Sequence, residues 1–184
     1  EEKHHEVNTV QNYKKQQQRN DPEITIPMRH KKVNKRKLQP DTIYNNVLIA
    51  KLINYIMRDG KKTTAQHQVY NALQILKTKG EDPVKLFEKA VQNVGPIVEV
   101  RARRVGGANY QVPTEVKHER RMSLALRWII EASRKRPNKE YHEFASKLAA
   151  EIIDASQNLG EAIRKRDLAF KQAEANKAFA HFRW

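Results

Sequence analysis

Apolar residues recur at helical spacing along most of this chain, broken once by a stretch whose period is two. Pro40-Asp41 marks where ordered structure begins. Val47, Leu48, Leu52, Ile53, Ile56 and Met57 then define a first helix that Asp59-Gly60 stops. Lys61 and Lys62 occupy the turn. Thr63 or Thr64 suits the cap of a second helix, whose buried stripe is Val69, Leu73 and Leu76 and whose end is Gly80. Asp82-Pro83 pairs an N-cap with proline at the first helical position, where its missing N–H costs nothing. Val84, Phe87, Val91 and Val94 line that third helix, and Gly95-Pro96 ends it.

Between Ile97 and Val116 the pattern changes. Val98, Val100 and Ala102 alternate with Glu99, Arg101 and Arg103, and a second alternation places Tyr110, Val112, Thr114 and Val116 on one face. Gly106-Gly107 between them permits a tight turn at positive φ. Helical spacing then returns. Leu124, Trp128 and Ile129, with Ala125 and Ala132, give a fourth helix closed by Arg134-Lys135-Arg136-Pro137-Asn138. Phe144, Leu148, Ile152 and Ala155 give a fifth, ending near Asn158-Leu159-Gly160. A sixth runs from about Glu161 to Phe179, where Ala162, Ala169, Ala173, Ala175, Ala178 and Ala180 allow close packing. The pattern predicts a mainly α fold: a six-helix domain with a protruding two-stranded antiparallel β-ribbon between the third and fourth helices. A lone hairpin is marginal in water, so this ribbon needs support from the helices or a partner.

Charge changes the picture more than composition does. The chain of 184 residues carries a formal charge of +15, far from the balance usual for soluble enzymes. Such a surplus points to a polyanion, nucleic acid first and an acidic membrane surface second. Residues 1–28 hold four basic against five acidic side chains, so the rest of the chain holds +16. Arg29 to Lys37 is a run of cations that repels itself and stays extended unless it meets anions. We therefore divide the chain into a polar, then basic extension over residues 1–37, extended or disordered when free, and a helical domain over residues 38–184, with the ribbon at about 97–116, whose cations suit a nucleic acid.

Signals for other chemistry are weak. There is no cysteine, hence no disulfide and no thiolate site. No apolar run approaches the ~18 residues of a membrane span, and no stretch reads as a secretory leader. Gly60-Lys61-Lys62-Thr63 lacks the upstream glycine of a phosphate loop, because position 55 is Tyr55. The pairs His5-Glu6, His118-Glu119 and His142-Glu143 lack the second histidine that zinc hydrolases require. No enzyme, cofactor or metal is expected.

Two segments go further. Arg103 to Val116 (RRVGGANYQVPTEV) and Ala173 to Trp184 (AEANKAFAHFRW) resemble signature segments of ribosomal protein seven of the small subunit, in its bacterial or organellar form. Asp59-Gly60-Lys61-Lys62, Leu126-Arg127-Trp128-Ile129 and Arg134-Lys135-Arg136 resemble the same family in the same order, so the likeness spans roughly Lys35 to Trp184. It implies a primary binder of small-subunit ribosomal RNA that organises the head of the subunit, near the tRNA exit site and the mRNA path. Carried onto this chain, it implies rRNA contact by Lys35, Arg36, Lys37, Lys61, Lys62, Arg101, Arg103 and Arg104, with Lys135, Arg136, Arg120 and Arg121 as weaker candidates. It also places Gly106, Gly107, Tyr110, His181, Arg183 and Trp184 toward tRNA or mRNA. The implied location is a small ribosomal subunit, in the bacterial cytoplasm or an organelle, without a membrane partner.

Two features depart from the family pattern. The near-neutral extension before Arg29 is longer than usual and suits a neighbouring small-subunit protein or a spacer. Glu119 puts a negative charge where the family is commonly basic or apolar. A DNA-binding regulator and an RNA-processing enzyme are the competing readings. The first requires a dimer that prefers duplex DNA; the second requires converging polar groups in a pocket, for which no nucleophile–base pair is evident.

Overall fold

The computed structural model describes residues 38–78 and 82–182. The extension with Lys35, Arg36 and Lys37, the helix stop at Gly80, and the terminal Arg183 and Trp184 lie outside the described residues. Among the described residues the chain forms six α-helices, one two-stranded sheet and a 3-10 helix. In chain order these are α1 (Val47–Ile56), α2 (Lys62–Thr78), α3 (Pro83–Val94), β1 (Val98–Val105), β2 (Ala108–Glu115), α4 (His118–Lys135), α5 (Phe144–Ser156), α6 (Glu161–Ala175) and the 3-10 helix Lys177–Phe182.

Local chemistry explains most of the boundaries. Asn46 caps α1 by accepting from the Leu48 N–H at 2.7 Å, while its amide donates to Glu88 at 2.6 Å and so ties α1 to α3. Asp82 caps α3 as expected, accepting from the Val84 N–H at 3.1 Å with Pro83 in the first turn. The expected threonine cap of α2 is not what forms. That helix begins at Lys62, so Thr63 and Thr64 lie inside its first turn. The turn itself closes on backbone bonds, Lys61 N–H to Arg58 at 2.9 Å and Lys62 N–H to Gly60 at 2.8 Å, and the chain enters the helix earlier than a threonine cap requires.

The core is built around α5, which packs against α2, α3, α4 and α6. A helix buried on nearly every side must be apolar or internally paired all round. Leu148, Ile152 and Ala155 supply the apolar part, and the charged Lys147 and Glu151 are buried with them. Leu52, Ile53, Val69, Leu73, Leu76, Phe87, Val91, Val94, Leu126 and Ile129 close the core from the other helices. In α4 the buried stripe is Ala125, Leu126, Ile129 and Ile130, while Leu124 and Trp128 are only half-buried at its margin. The last helix ends at Ala175, before the expected Phe179, and the chain tightens into the 3-10 turn. Only Ala162 and Ala173 of its alanines are buried, and Ala175, Ala178 and Ala180 face outward.

Glu151 also starts α6. Its Oε1 accepts from the Ala162 N–H at 3.1 Å, serving as the cap that Gly160 cannot supply. Gly160 sits at φ 93°, and a Cβ there would stand 3.0 Å from that same oxygen. Both backbone and space therefore require glycine at this position.

Candidate nucleic-acid interface

The ribbon is antiparallel with a two-residue loop, pairing Val105 with Ala108 across Gly106-Gly107. Both glycines have positive φ, 57° and 89°, as the primed hairpin turns demand. This loop length sets which side chains share a face. Arg101 opposes Val112 and Arg103 opposes Tyr110. Arg101 and Arg103 therefore lie on the same face as the apolar row of β2, while Arg104, opposite Asn109, lies on the other with Val98, Val100 and Ala102. Neither face is purely basic or purely apolar. The ribbon is also not free-standing. Val112 is fully buried, α6 packs along β1, and the 3-10 helix packs along β2. Tyr110 meets Phe179 and Phe182 with ring centroids 5.3 and 5.1 Å away.

The cations named from the sequence fall into two groups. Lys61 and Lys62 are exposed at the start of α2, Arg104 is exposed near the ribbon tip, and Arg103 is half-buried beside it. None of these four makes an ion pair among the described residues. Lys135 is exposed and only loosely placed 4.0 Å from Glu131, whose closer partner is Lys165 at 2.5 Å. The hydrogen bond from Lys165 holds the Glu131 carboxyl below the usual glutamate range, against a smaller cost of burial.

The second group has internal partners. Arg101 and Arg120 converge on Glu99, at 2.5 and 2.8 Å. Burial of Glu99 opposes its charge, but hydrogen bonds from Arg120 and Arg101 outweigh this and hold its carboxyl below the ordinary range. Arg121 donates to the Gly95 and Gln92 carbonyls at 3.0 and 3.2 Å, satisfying the C-terminal end of α3. Arg136 is the most committed. Its guanidinium binds Glu151 at 2.7 Å and also Asp154, and it stacks on Tyr141, 5.5 Å from the ring centroid. Burial works against the Arg136 charge, yet the two carboxylates more than offset it and raise its pKa. Lys147 completes this joint by donating to the Arg136 carbonyl at 2.7 Å.

One neighbouring cation is not evident from the sequence pattern. Although Arg134 is exposed, partial desolvation, with the positive charge of Arg58, pushes its guanidinium below the ordinary pKa. The end of α4 thus lies close to the residue preceding the Asp59-Gly60 turn. A partial signal exists, since Arg58 directly adjoins that turn, but no local spacing links it to Arg134. Of the residues expected toward tRNA or mRNA, Gly106 and Gly107 are exposed at the ribbon tip. Tyr110 is half-buried in the aromatic cluster, and His181 is exposed beside Phe182. The arrangement thus brings the ribbon and the C-terminal segment into one surface.

This geometry offers exposed cations on rigid supports. Among the described residues no group of His, Cys, Asp or Glu is placed to hold a metal, and no helix is long and apolar enough to cross a membrane. The family described as Ribosomal protein S7p/S5e matches residues 28–177. A small ribosomal subunit protein uS7 from Caldanaerobacter subterraneus subsp. tengcongensis is 55% identical over 153 residues, covering 83% of this chain and 96% of the relative. The protein of that name from Moorella thermoacetica is 53% identical over 157 residues, covering 85% and 99%. That from Thermotoga petrophila is 54% identical over 158 residues, covering 85% and 100%. On this match, and on a helical body carrying a braced basic ribbon, the chain belongs to the ribosomal protein S7p/S5e family.

Proposed function

We propose that this chain is a structural, non-enzymatic constituent of the small ribosomal subunit, and that it grips folded ribosomal RNA mainly through backbone phosphates. The observation that carries this reading is the set Lys61, Lys62, Arg103 and Arg104, cations without a carboxylate partner among the described residues. Lysines and arginines that displace phosphate counterions give affinity with little sequence reading. A helical body cannot enter the deep, narrow major groove of A-form RNA, so the target is a junction or loop whose shape fits the spaced cations. Arginine adds planar forks for phosphate and stacking on exposed bases.

On this reading Lys35, Arg36 and Lys37 and Lys135 extend the contact, and Arg101 joins it to the extent that Glu99 releases it. Arg136 serves by holding the loop after α4 in place. The protein organises the head of the subunit. Its ribbon tip at Gly106 and Gly107, with Tyr110 and the C-terminal His181, Arg183 and Trp184, lies toward tRNA and mRNA. Neighbouring small-subunit proteins are further partners. The relatives compared are bacterial, and the subunit is of bacterial type, in the bacterial cytoplasm or an organelle. The test is binding of the purified chain to a small-subunit rRNA junction and to a scrambled transcript of equal length over a range of salt. Tighter, steeply salt-dependent binding to the junction is expected; equal binding to both transcripts would overturn the reading.

A further inference from the structure

A cleft of about 400 Å³ opens where the chain passes from α3 into the ribbon. Its floor is the end of α3 at Gly95, its walls include Arg121 from α4 and Arg166 with Asp167 from α6, and Ile97 and Phe170 stand at its rim. The two rim residues are large, apolar and well exposed, 62% and 56%. Single exposed apolar residues are ordinary, but two flanking one concave site suggest a place for an apolar anchor.

The walls are fixed. Arg121 donates to the carbonyls of Gly95 and Gln92, and Arg166 donates to the Asn93 carbonyl at 2.8 Å and pairs with Asp167 at 2.8 Å. These donors are aimed at backbone carbonyls, at Asp167 and, from Arg166, at the Asn158 side-chain oxygen 3.2 Å away. A Cβ on Gly95 would stand 2.8 Å from the Arg121 side chain, so that contact is close. The site is therefore largely preformed, and a ligand need not order it.

Charge distinguishes this cleft from the RNA-binding cations. At the ribbon root Glu99 neutralises Arg101 and Arg120, and in the cleft Asp167 answers Arg166. A phosphate backbone laid here would meet the Asp167 carboxylate and two apolar rim side chains that cannot bond its oxygens, whereas Lys61, Lys62, Arg103 and Arg104 stand without a carboxylate partner among the described residues. The lining nevertheless keeps two arginines against one aspartate. This combination suits a polypeptide with an apolar side chain and an adjacent carboxylate.

Resting on the ribosomal reading above, we propose that this cleft docks an extended segment of a neighbouring small-subunit protein. The segment inserts one branched or aromatic side chain between Ile97 and Phe170 and sets an acidic residue beside Arg121 and Arg166. The test uses the full chain assembled into small subunits, with photoreactive benzoylphenylalanine at position 170 in one preparation and at position 104 in another. After irradiation, position 170 is expected to cross-link to a peptide of another ribosomal protein that holds an apolar residue next to Asp or Glu, and position 104 to rRNA. Cross-linking of position 170 to RNA or to a second copy of this chain overturns the docking site. So does silence there while position 104 captures RNA. Silence at both positions overturns the ribosomal reading and the docking site with it. A probe at position 97 gives the second measurement. Combined with Phe170→Glu, a change at an already exposed side chain, it should lose about tenfold in protein cross-link yield while rRNA affinity stays unchanged. An undiminished yield overturns the proposal.

Discussion

Arg104 on the ribbon and Arg136 after α4 each stand in a dense run of basic residues, and their surroundings differ completely. Arg104 is exposed and has no carboxylate partner among the described residues. Arg136 is 16% exposed, holds two carboxylates and stacks on Tyr141. A phosphate meeting Arg104 replaces water. A phosphate meeting Arg136 must compete with Glu151, a buried carboxylate that depends on that arginine for its charge balance. Basic runs in a sequence therefore count cations without saying which are available; burial and the partners on other helices decide.

The comparison breaks most readily at Arg136. Arg136→Ala leaves the carboxylate of Glu151, 1% exposed, without its cation, and breaking a buried pair from one side typically costs about 3–5 kcal/mol. Urea unfolding should show that loss, and the α6 cap at Ala162 should loosen with it. Molecules that remain folded should bind rRNA nearly as before. A variant of full stability with lost RNA affinity would show that Arg136 works as Arg104 does.

The reverse variant is Arg103→Gln with Arg104→Gln. Among the described residues neither side chain makes an ion pair, so the unfolding midpoint should stay put. The slope of log affinity against log salt should fall by about one for each phosphate contact removed, hence by about two. Salt-titrated binding measures this, and an unchanged slope would remove the ribbon tip from the interface.

The contrast also shows what the sequence could reveal. Stripes such as Val69, Leu73 and Leu76, and the Asp82-Pro83 start, were legible because their causes lie within one or two helical turns. The family resemblance was legible from long segments around Gly106-Gly107 and at the C-terminus. The pairing of Arg136 with Glu151 was not, since it joins residues fifteen apart on different elements and depends on the packing of α5. The mixed faces of the ribbon were readable in principle. A two-residue loop sets odd positions of β1 opposite even positions of β2, so the two apolar rows had to fall on opposite faces. The threonine cap failed because the backbone turn after α1 closes without one. The outward-facing Ala175, Ala178 and Ala180 show that small size permits close packing without requiring it.

Tyr110 tests whether the ribbon is braced or merely adjacent. Tyr110→Ala removes both ring contacts to Phe179 and Phe182, each worth about 0.5–1.5 kcal/mol beyond buried area. Hydrogen exchange should quicken in β2 and in the 3-10 segment together, while α2 and α3 keep their protection. Faster exchange in only one of the two segments would mean that the ribbon and the C-terminal segment move independently.

Arg101 lies between the two extremes, and Glu99 decides how far it leans toward each. Its side chain is half-exposed, so the pair is screened, and Glu99→Gln should change stability by less than about 1 kcal/mol at neutral pH. The informative quantity is the pH dependence. Because the folded protein holds the Glu99 carboxyl below its ordinary value, Glu99 contributes stability above the ordinary glutamate pKa. That contribution is lost as pH falls through the lower folded value. The wild-type curve should therefore drop more steeply than that of the Glu99→Gln variant across that acidic window, with the two parallel above it. At neutral pH the same variant should also bind rRNA slightly more tightly, because Arg101 and Arg120 lose a competing carboxylate. Weaker binding would show that Glu99 positions the arginines for phosphate, and Arg101 would then belong with Arg104 rather than between it and Arg136.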